Sequence, residues 1–183
     1  MTTDSTEATK HWYALKVFYN RVFAIETYLN EAGIESYIPC EKEKIRKTDG
    51  TYKTIRKTMT PSLMFFRSDA NTATLLRREL FGQVLIYVDS AGDTNEPCPI
   101  SDHEMDVFIL VTSSGEKGIE YFSSDDRRFH VGERVRVTGG SFKGTEGYIR
   151  RIKGNRRLIV TIHGICAVAT SYIPQCFLEK IEE

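Results

Sequence analysis

Residues that mark chemistry are scarce in this sequence: 183 residues hold one tryptophan, five prolines, four histidines and four cysteines. Cys40, Cys98, Cys166 and Cys176 form no C-x-x-C pair and the histidines are equally dispersed, so the spacing of a zinc site is missing. The cysteines read as reduced, partly buried small apolar residues. No G-x-S-x-G, P-loop or H-E-x-x-H occurs, so neither an enzyme nor a cofactor is expected. The densest polar group, Asp102-His103-Glu104, is accounted for by a helix start, with Ser101 at the N-cap and Glu104 at N3. No apolar run approaches a membrane span. The opening MTTDSTEATK is polar throughout, which predicts a disordered tail over 1–10 and neither signal peptide nor anchor. A cytoplasmic protein is expected.

A formal net charge of zero hides segregation along the chain. From Asp89 to Asp126 Lys117 is the only base among many acids, whereas from Arg127 to Arg157 only Glu133 and Glu146 oppose a run of arginines and lysines. A second basic cluster, Lys42, Lys44, Arg46, Lys47, Lys53, Arg56 and Lys57, lies in the N-terminal half. Such clustering suits polyanion contact on two surfaces, and equally suits a solvated hairpin and a soluble barrel exterior.

What is present is strand and helix periodicity. Val135 and Val137 alternate with Arg134 and Arg136, as in a strand with one buried and one wet face. Ile149 and Ile152 belong to a second strand, Gly154-Asn155 turns it, and Leu158 to Ile162 returns, giving a small basic β-barrel. Upstream, Trp12 to Val17 reads as a buried strand. Asn20 then caps a helix with Val22, Ile25, Leu29 and Ala32 on one face, which Gly33 ends. Asp49-Gly50 predicts a hairpin, and Pro61 to Phe66 an apolar strand covered on both faces. A second helix from Asn71 or Thr72 to Leu80 and a strand from Val84 to Val88 complete β-α-β-β-α-β, a split-βαβ, ferredoxin-like layout. Met105, Phe108 and Ile109 form the buried stripe of a third helix. The serine- and glycine-rich stretch that follows marks a linker over 112–127 between domains spanning 11–111 and 128–183.

The glycines Gly140, Gly144 and Gly147 after the VRV strand, in VGERVRVTGGSFKGTEG, resemble the KOW motif of NusG-type transcription factors and several ribosomal proteins. HWYALKVFYNRVFAIETYLNEAGIESYIP, MTPSLMFF and PISDHEMDVFI are similar to the NusG N-terminal domain, and GNRRLIVTIHGICAVATSYIPQCFLEKI looks closest to the UpxY branch of Bacteroides-type bacteria. The resemblance implies an α+β protein, with a ferredoxin-like N-terminal (NGN) domain and a small C-terminal SH3-like KOW barrel. It implies a monomeric elongation or antitermination factor that rides on RNA polymerase and promotes read-through of a surface (capsular) polysaccharide operon. A ribosome- or RNA-binding KOW protein is the alternative.

The resemblance also assigns residues. Pro61, Leu63 and Phe65 match the family's FPGYVFV strand, which docks on the clamp helices of the largest polymerase subunit, although Ser62 and Leu63 stand where glycine and an aromatic are usual. Tyr19, Asn20 and Arg21 match the segment that approaches the non-template DNA strand, with nascent RNA a further candidate ligand. Thr72-Ala73-Thr74, ahead of Arg77 and Arg78, matches the region that touches the opposite side of the polymerase cleft.

Overall fold

The computed structural model describes residues 9–88, 95–123, 132–162 and 164–181. Its chain divides into two compact units, one within Met1–Ile38 and Pro61–Asp102, the other within Pro39–Thr60 and His103–Glu183. The expected tail lies almost wholly outside the described residues.

In the first unit the strands β1 (His11–Val17), β2 (Glu35–Tyr37), β5 (Leu63–Ser68) and β6 (Val84–Ile86) form an antiparallel sheet in the order β2-β5-β1-β6. Helix α1 (Val22–Glu31) connects β1 to β2, and α2 (Ala70–Glu79) connects β5 to β6. Each β-α-β unit is therefore split by a strand of the other, as the alternation of periods predicts. The inner strands are apolar on both faces: Trp12 to Leu15 and Leu63 to Phe66 are all buried, and the Tyr13 and Phe66 rings stack 5.5 Å apart. Helix α1 buries Val22, Ile25 and Leu29 at helical spacing, while Ala32 is exposed because the helix has already ended. Gly33 follows at φ 70°, the left-handed residue that stops it. Tyr28 Oη donates to Glu79 Oε2 at 2.6 Å, joining α1 to α2.

In the second unit β3 (Cys40–Arg46) and β4 (Tyr52–Thr58) form a hairpin around Asp49 and Gly50. Helix α3 (Asp102–Ser113) starts directly after Ser101, and buries Met105, Phe108, Val111 and Thr112. Ile109, expected in that stripe, is only half-buried. The remaining strands are β7 (Glu120–Ser123), β8 (Glu133–Val137), β9 (Glu146–Ile152), β10 (Asn155–Ile162), β11 (Cys166–Tyr172) and β12 (Leu178–Lys180). They form one antiparallel sheet in the order β12-β8-β9-β10-β11-β7. The expected linker thus contains an edge strand: β7 pairs with β11, and Phe122 packs with Ile159, Ala167 and Ala169. Four residues are too short for their periodicity to stand out among serines and glycines. Burial pushes the Cys166 thiol up to about 12, which leaves it protonated and inert at neutral pH.

Candidate nucleic-acid interface

Where β1 ends, its backbone is tied to both neighbouring strands. The Val17 N–H donates to the Ser62 carbonyl at 2.6 Å and the Phe18 N–H to the Gln83 carbonyl at 2.9 Å. The next two residues, Tyr19 at φ 58° and Asn20 at φ 54°, are both left-handed. Asparagine tolerates this region, but for tyrosine it costs roughly 1–2 kcal/mol. The strain carries Tyr19 outward, 81% exposed, with the Phe18 ring edge-on at 6.4 Å. Asn20 is consequently the turn and not the cap: Arg21 occupies the N-cap without a side-chain hydrogen bond, and its carbonyl accepts from Ile25. The exposed Arg21 is the N-cap of a helix start that has no acid in its first turn. That combination favours anions.

Helix α2 starts at Ala70, just ahead of the expected Asn71 or Thr72, and is capped by Asp69. Asp69 accepts from the Thr72 N–H at 3.0 Å and from its hydroxyl at 2.7 Å, and these bonds hold its carboxyl below the usual carboxylate range. The last turn carries Arg77 and Arg78, a favourable placement at the negative helix end. Arg77 is engaged, donating to the Asn95 carbonyl at 2.7 Å and to its side-chain oxygen at 3.4 Å, whereas Arg78 is exposed. Beyond them Phe81 is 87% exposed, and with Thr74, Arg77, Arg78 and Asn95 it lines an open groove of about 620 Å³. Phe81 escaped the sequence reading. The available signal was a phenylalanine just before the helix-ending Gly82, off the apolar stripe of Leu76 and Leu80. Through the Phe18–Gln83 hydrogen bond, the Tyr19 turn and the Phe81 corner meet at one end of the sheet.

The strand expected to dock on polymerase is built differently from the expectation. Pro61 is exposed, but Leu63 is 2% and Phe65 0% exposed, because β5 lies between β2 and β1 with both faces covered. An exposed apolar patch centred on these two side chains is therefore not formed. Burial of an aromatic of this size stabilises by about 2–3 kcal/mol, so aspartate at Phe65 tests folding before it tests binding.

Two of the three motif glycines shape the β8–β9 connection, and the third lies within β9. Gly140 and Gly144 take φ 79° and 90°, and the loop closes as the Gly144 N–H donates to the Val137 carbonyl at 2.7 Å over the buried Phe142. Gly147 is required for space: a Cβ there would run into the Ile159 carbonyl oxygen on the paired strand. The arginines around these glycines are largely paired. Arg136 donates twice to Glu146 Oε1, at 2.9 and 2.6 Å, which lowers the Glu146 pKa.

The model of the family described as "Transcription termination factor nusG" matches residues 10–109 of this chain. The chain belongs to the NusG family. Two relatives named "Transcription termination/antitermination protein NusG" align along most of it. That of Haemophilus influenzae is 24% identical over 179 residues, 90% of this chain and 91% of the relative. That of Pasteurella multocida is 25% identical over 172 residues, 87% and 90% of the two chains. A solved structure described as "Domain interaction in Thermotoga maritima NusG" covers 95% of this chain and 98% of its own, at 19% identity and a TM-score of 0.48. As a NusG-family protein the chain is of the transcription termination/antitermination class, and none of its described helices is long and apolar enough to cross a membrane.

Proposed function

We propose that this NusG-family protein rides on RNA polymerase through its first unit and contacts the non-template DNA strand of the transcription bubble, suppressing pausing or termination. The observation that carries the reading is the end of the sheet where Tyr19 and Phe81, both almost fully exposed, stand with Arg21 and Arg78. Exposed aromatics are stacking platforms for unpaired bases, worth roughly 1–3 kcal/mol per base, and arginines beside them take phosphates. Arg77, held by Asn95, and Asn20, shaping the turn, position this surface. Pro61 is the member of the docking motif available to the polymerase clamp helices. Leu63 and Phe65 act from the core by holding β5. The second unit is read as a KOW module in which the motif glycines Gly140 and Gly144 shape the loop and Gly147 lets β9 approach β10. On the likeness of its ending to the UpxY branch, we propose a surface polysaccharide operon as the target, and a monomer in the cytoplasm as the working form.

Site-specific crosslinking in a stalled elongation complex tests the contact. Tyr19→Ala and Phe81→Ala are each expected to reduce crosslinks to the non-template strand severalfold, and the Arg21→Ala defect to depend more strongly on salt because it rests on phosphate charge. Undiminished crosslinking in all three variants would refute the assignment. Multi-round transcription on a template carrying the protein's own operon leader, with and without the protein, tests read-through. Co-purification with ribosomal subunits in place of polymerase would favour a ribosome-binding role instead.

A further inference from the structure

The six-stranded sheet of the second unit carries a cavity that the proposed function does not use. On one face Phe122 of β7 packs with Ile159 of β10 and with Ala167 and Ala169 of β11, and Ile152 of β9 lies against them. Phe122, Ile152 and Ile159 form the apolar floor of a cavity of about 310 Å³, whose polar lining is Glu120, Arg150, Arg151 and Lys153. Three cations there meet one acid, and the acid is already taken: Glu120 accepts from Lys153 at 3.2 Å and from Arg157 at 3.0 Å. Among the described residues neither Arg150 nor Arg151 has an ion pair or a side-chain hydrogen bond. Arg150 Nη1 is nevertheless buried without a partner, and so is Nε of Arg157, which stands directly opposite Arg150 in the register. A buried guanidinium donor with no acceptor is costly, and in a cavity wall it points to an acceptor supplied from outside the chain.

We propose that this cavity binds the carboxylate end of a peptide that terminates in an aliphatic residue. A guanidinium and a carboxylate match as planar groups, and the hydrogen bonds between them are charge-assisted. Arg150 and Ile152 alternate along β9 and so share a face about 6.8 Å apart, at about 3.4 Å per residue. A C-terminal residue carries its carboxylate and its side chain on one carbon, which lets the first meet the arginine while the second covers the isoleucines. The volume lies at the small end of the roughly 300–1,000 Å³ of ligand cavities, which suits a single terminal residue. A nucleotide fits less well, because the one ring of the lining, Phe122, is 7% exposed and offers no stacking face. The rim is set before binding, since Glu120 of β7 holds both Lys153 of the β9–β10 turn and Arg157 of β10.

Amide NMR spectra of the full-length protein, titrated without polymerase or DNA, test this independently of the proposed function. The probes are a short peptide ending in leucine with a free carboxylate, the same peptide with a C-terminal amide, hexanoate and inorganic phosphate. The free acid is expected to shift the amides of Phe122 and of Arg150 to Lys153, and to bind about tenfold more tightly than the amide. Arg150→Gln should weaken the free acid about tenfold and Arg151→Gln, at the exposed rim, about threefold. Lys143→Gln, which removes the same charge elsewhere in the unit, should change it less than about twofold. Equal affinity for acid and amide would overturn the proposal, and so would equal losses in Arg150→Gln and Lys143→Gln. Hexanoate binding as tightly as the peptide would give the cavity to a free carboxylate, and tighter binding of phosphate would give it to a phosphate; either result overturns the assignment to a peptide end. The contrast between acid and amide is read on the wild-type protein, so it decides the matter even if a variant at Arg150 folds poorly.

Discussion

In the hairpin β9–β10 Lys153, Arg156 and Arg157 are bound into their own unit, whereas Lys42, Lys44 and Arg46 on one face of β3–β4 meet no acid among the described residues. Arg157, whose side chain is 12% exposed, donates to Glu120 at 3.0 Å and to the Gly118 carbonyl at 2.9 Å. Lys153 reaches the same Glu120 oxygen at 3.2 Å, and Arg156 bonds Gln175. Burial pushes the Glu120 carboxyl up, but the hydrogen bonds and charges of Lys153 and Arg157 outweigh it and leave the pKa lowered. In β3–β4 the two glutamates face away from Lys42, Lys44 and Arg46 by strand alternation alone. Two segments with the same excess of positive charge thus differ in what that charge does, and partner geometry separates them. Charge counted along a chain locates a candidate surface; only the register says whether the charge is already taken.

The largest effect expected from a single change falls in the sheet that contains β9–β10. Gly147→Ala forces a Cβ onto the Ile159 carbonyl, and should destabilise the second unit by about 3 kcal/mol in denaturant melts, the scale of overpacking a close backbone approach. No glycine of β3–β4 carries such a demand: Gly50 is at φ 84° in open space apart from the end of Arg46.

Next is Glu120→Gln, which strands a nearly buried arginine and should cost about 1–2 kcal/mol at neutral pH. Because the folded pKa of Glu120 is depressed, its contribution is present above the ordinary glutamate value of about 4.3 and is lost as pH falls through the folded value. The gap between wild type and Glu120→Gln should therefore close in acid. A gap independent of pH would mean that the arginine cluster is held by something other than this carboxylate, and the contrast between the hairpins would weaken.

Smaller and equal effects are expected at the two turns. Gly154→Ala and Gly50→Ala each place a side chain at φ near 83–84° and should cost about 1 kcal/mol, independent of the charge around them. The smallest change is Lys44→Ala, expected to move stability by less than about 0.5 kcal/mol. A loss above about 1 kcal/mol would show that the open face of β3–β4 is structural after all.

Periodicity made much of this fold legible. The alternation of Val135 and Val137 with Arg134 and Arg136 is the burial seen in β8, and the order of strands and helices from Trp12 to Val88 yields the split sheet of the first unit. Errors arose where two residues compete for one local role. The β9–β10 turn is Lys153-Gly154, one residue earlier than the Gly154-Asn155 expected, since Ile152 pairs with Asn155 and both intervening residues are left-handed. Asn20 and Asp69 are each plausible caps by residue type, but only Asp69 has extended backbone and a bond to the N–H three residues on. At the candidate interface Tyr19 and Arg21 were legible, Phe81 was not, and the burial of Leu63 and Phe65 was foreshadowed by weak alternation in β5 that a docking motif argued against.

The sequence by itself determined the elements: branched residues and glycines dictate strands and turns, and apolar spacing dictates helix faces. These are local properties, carried by a residue and its near neighbours. Tertiary structure decided which strands became inner ones, and hence that Leu63 and Phe65 are core while Tyr19 and Phe81 are surface. It also decided which cations found acids, joining Arg157 to Glu120 across 37 residues while Lys42, Lys44 and Arg46 of β3–β4 meet none among the described residues. Pairings at that separation follow from sheet order and register, which no short window of sequence encodes.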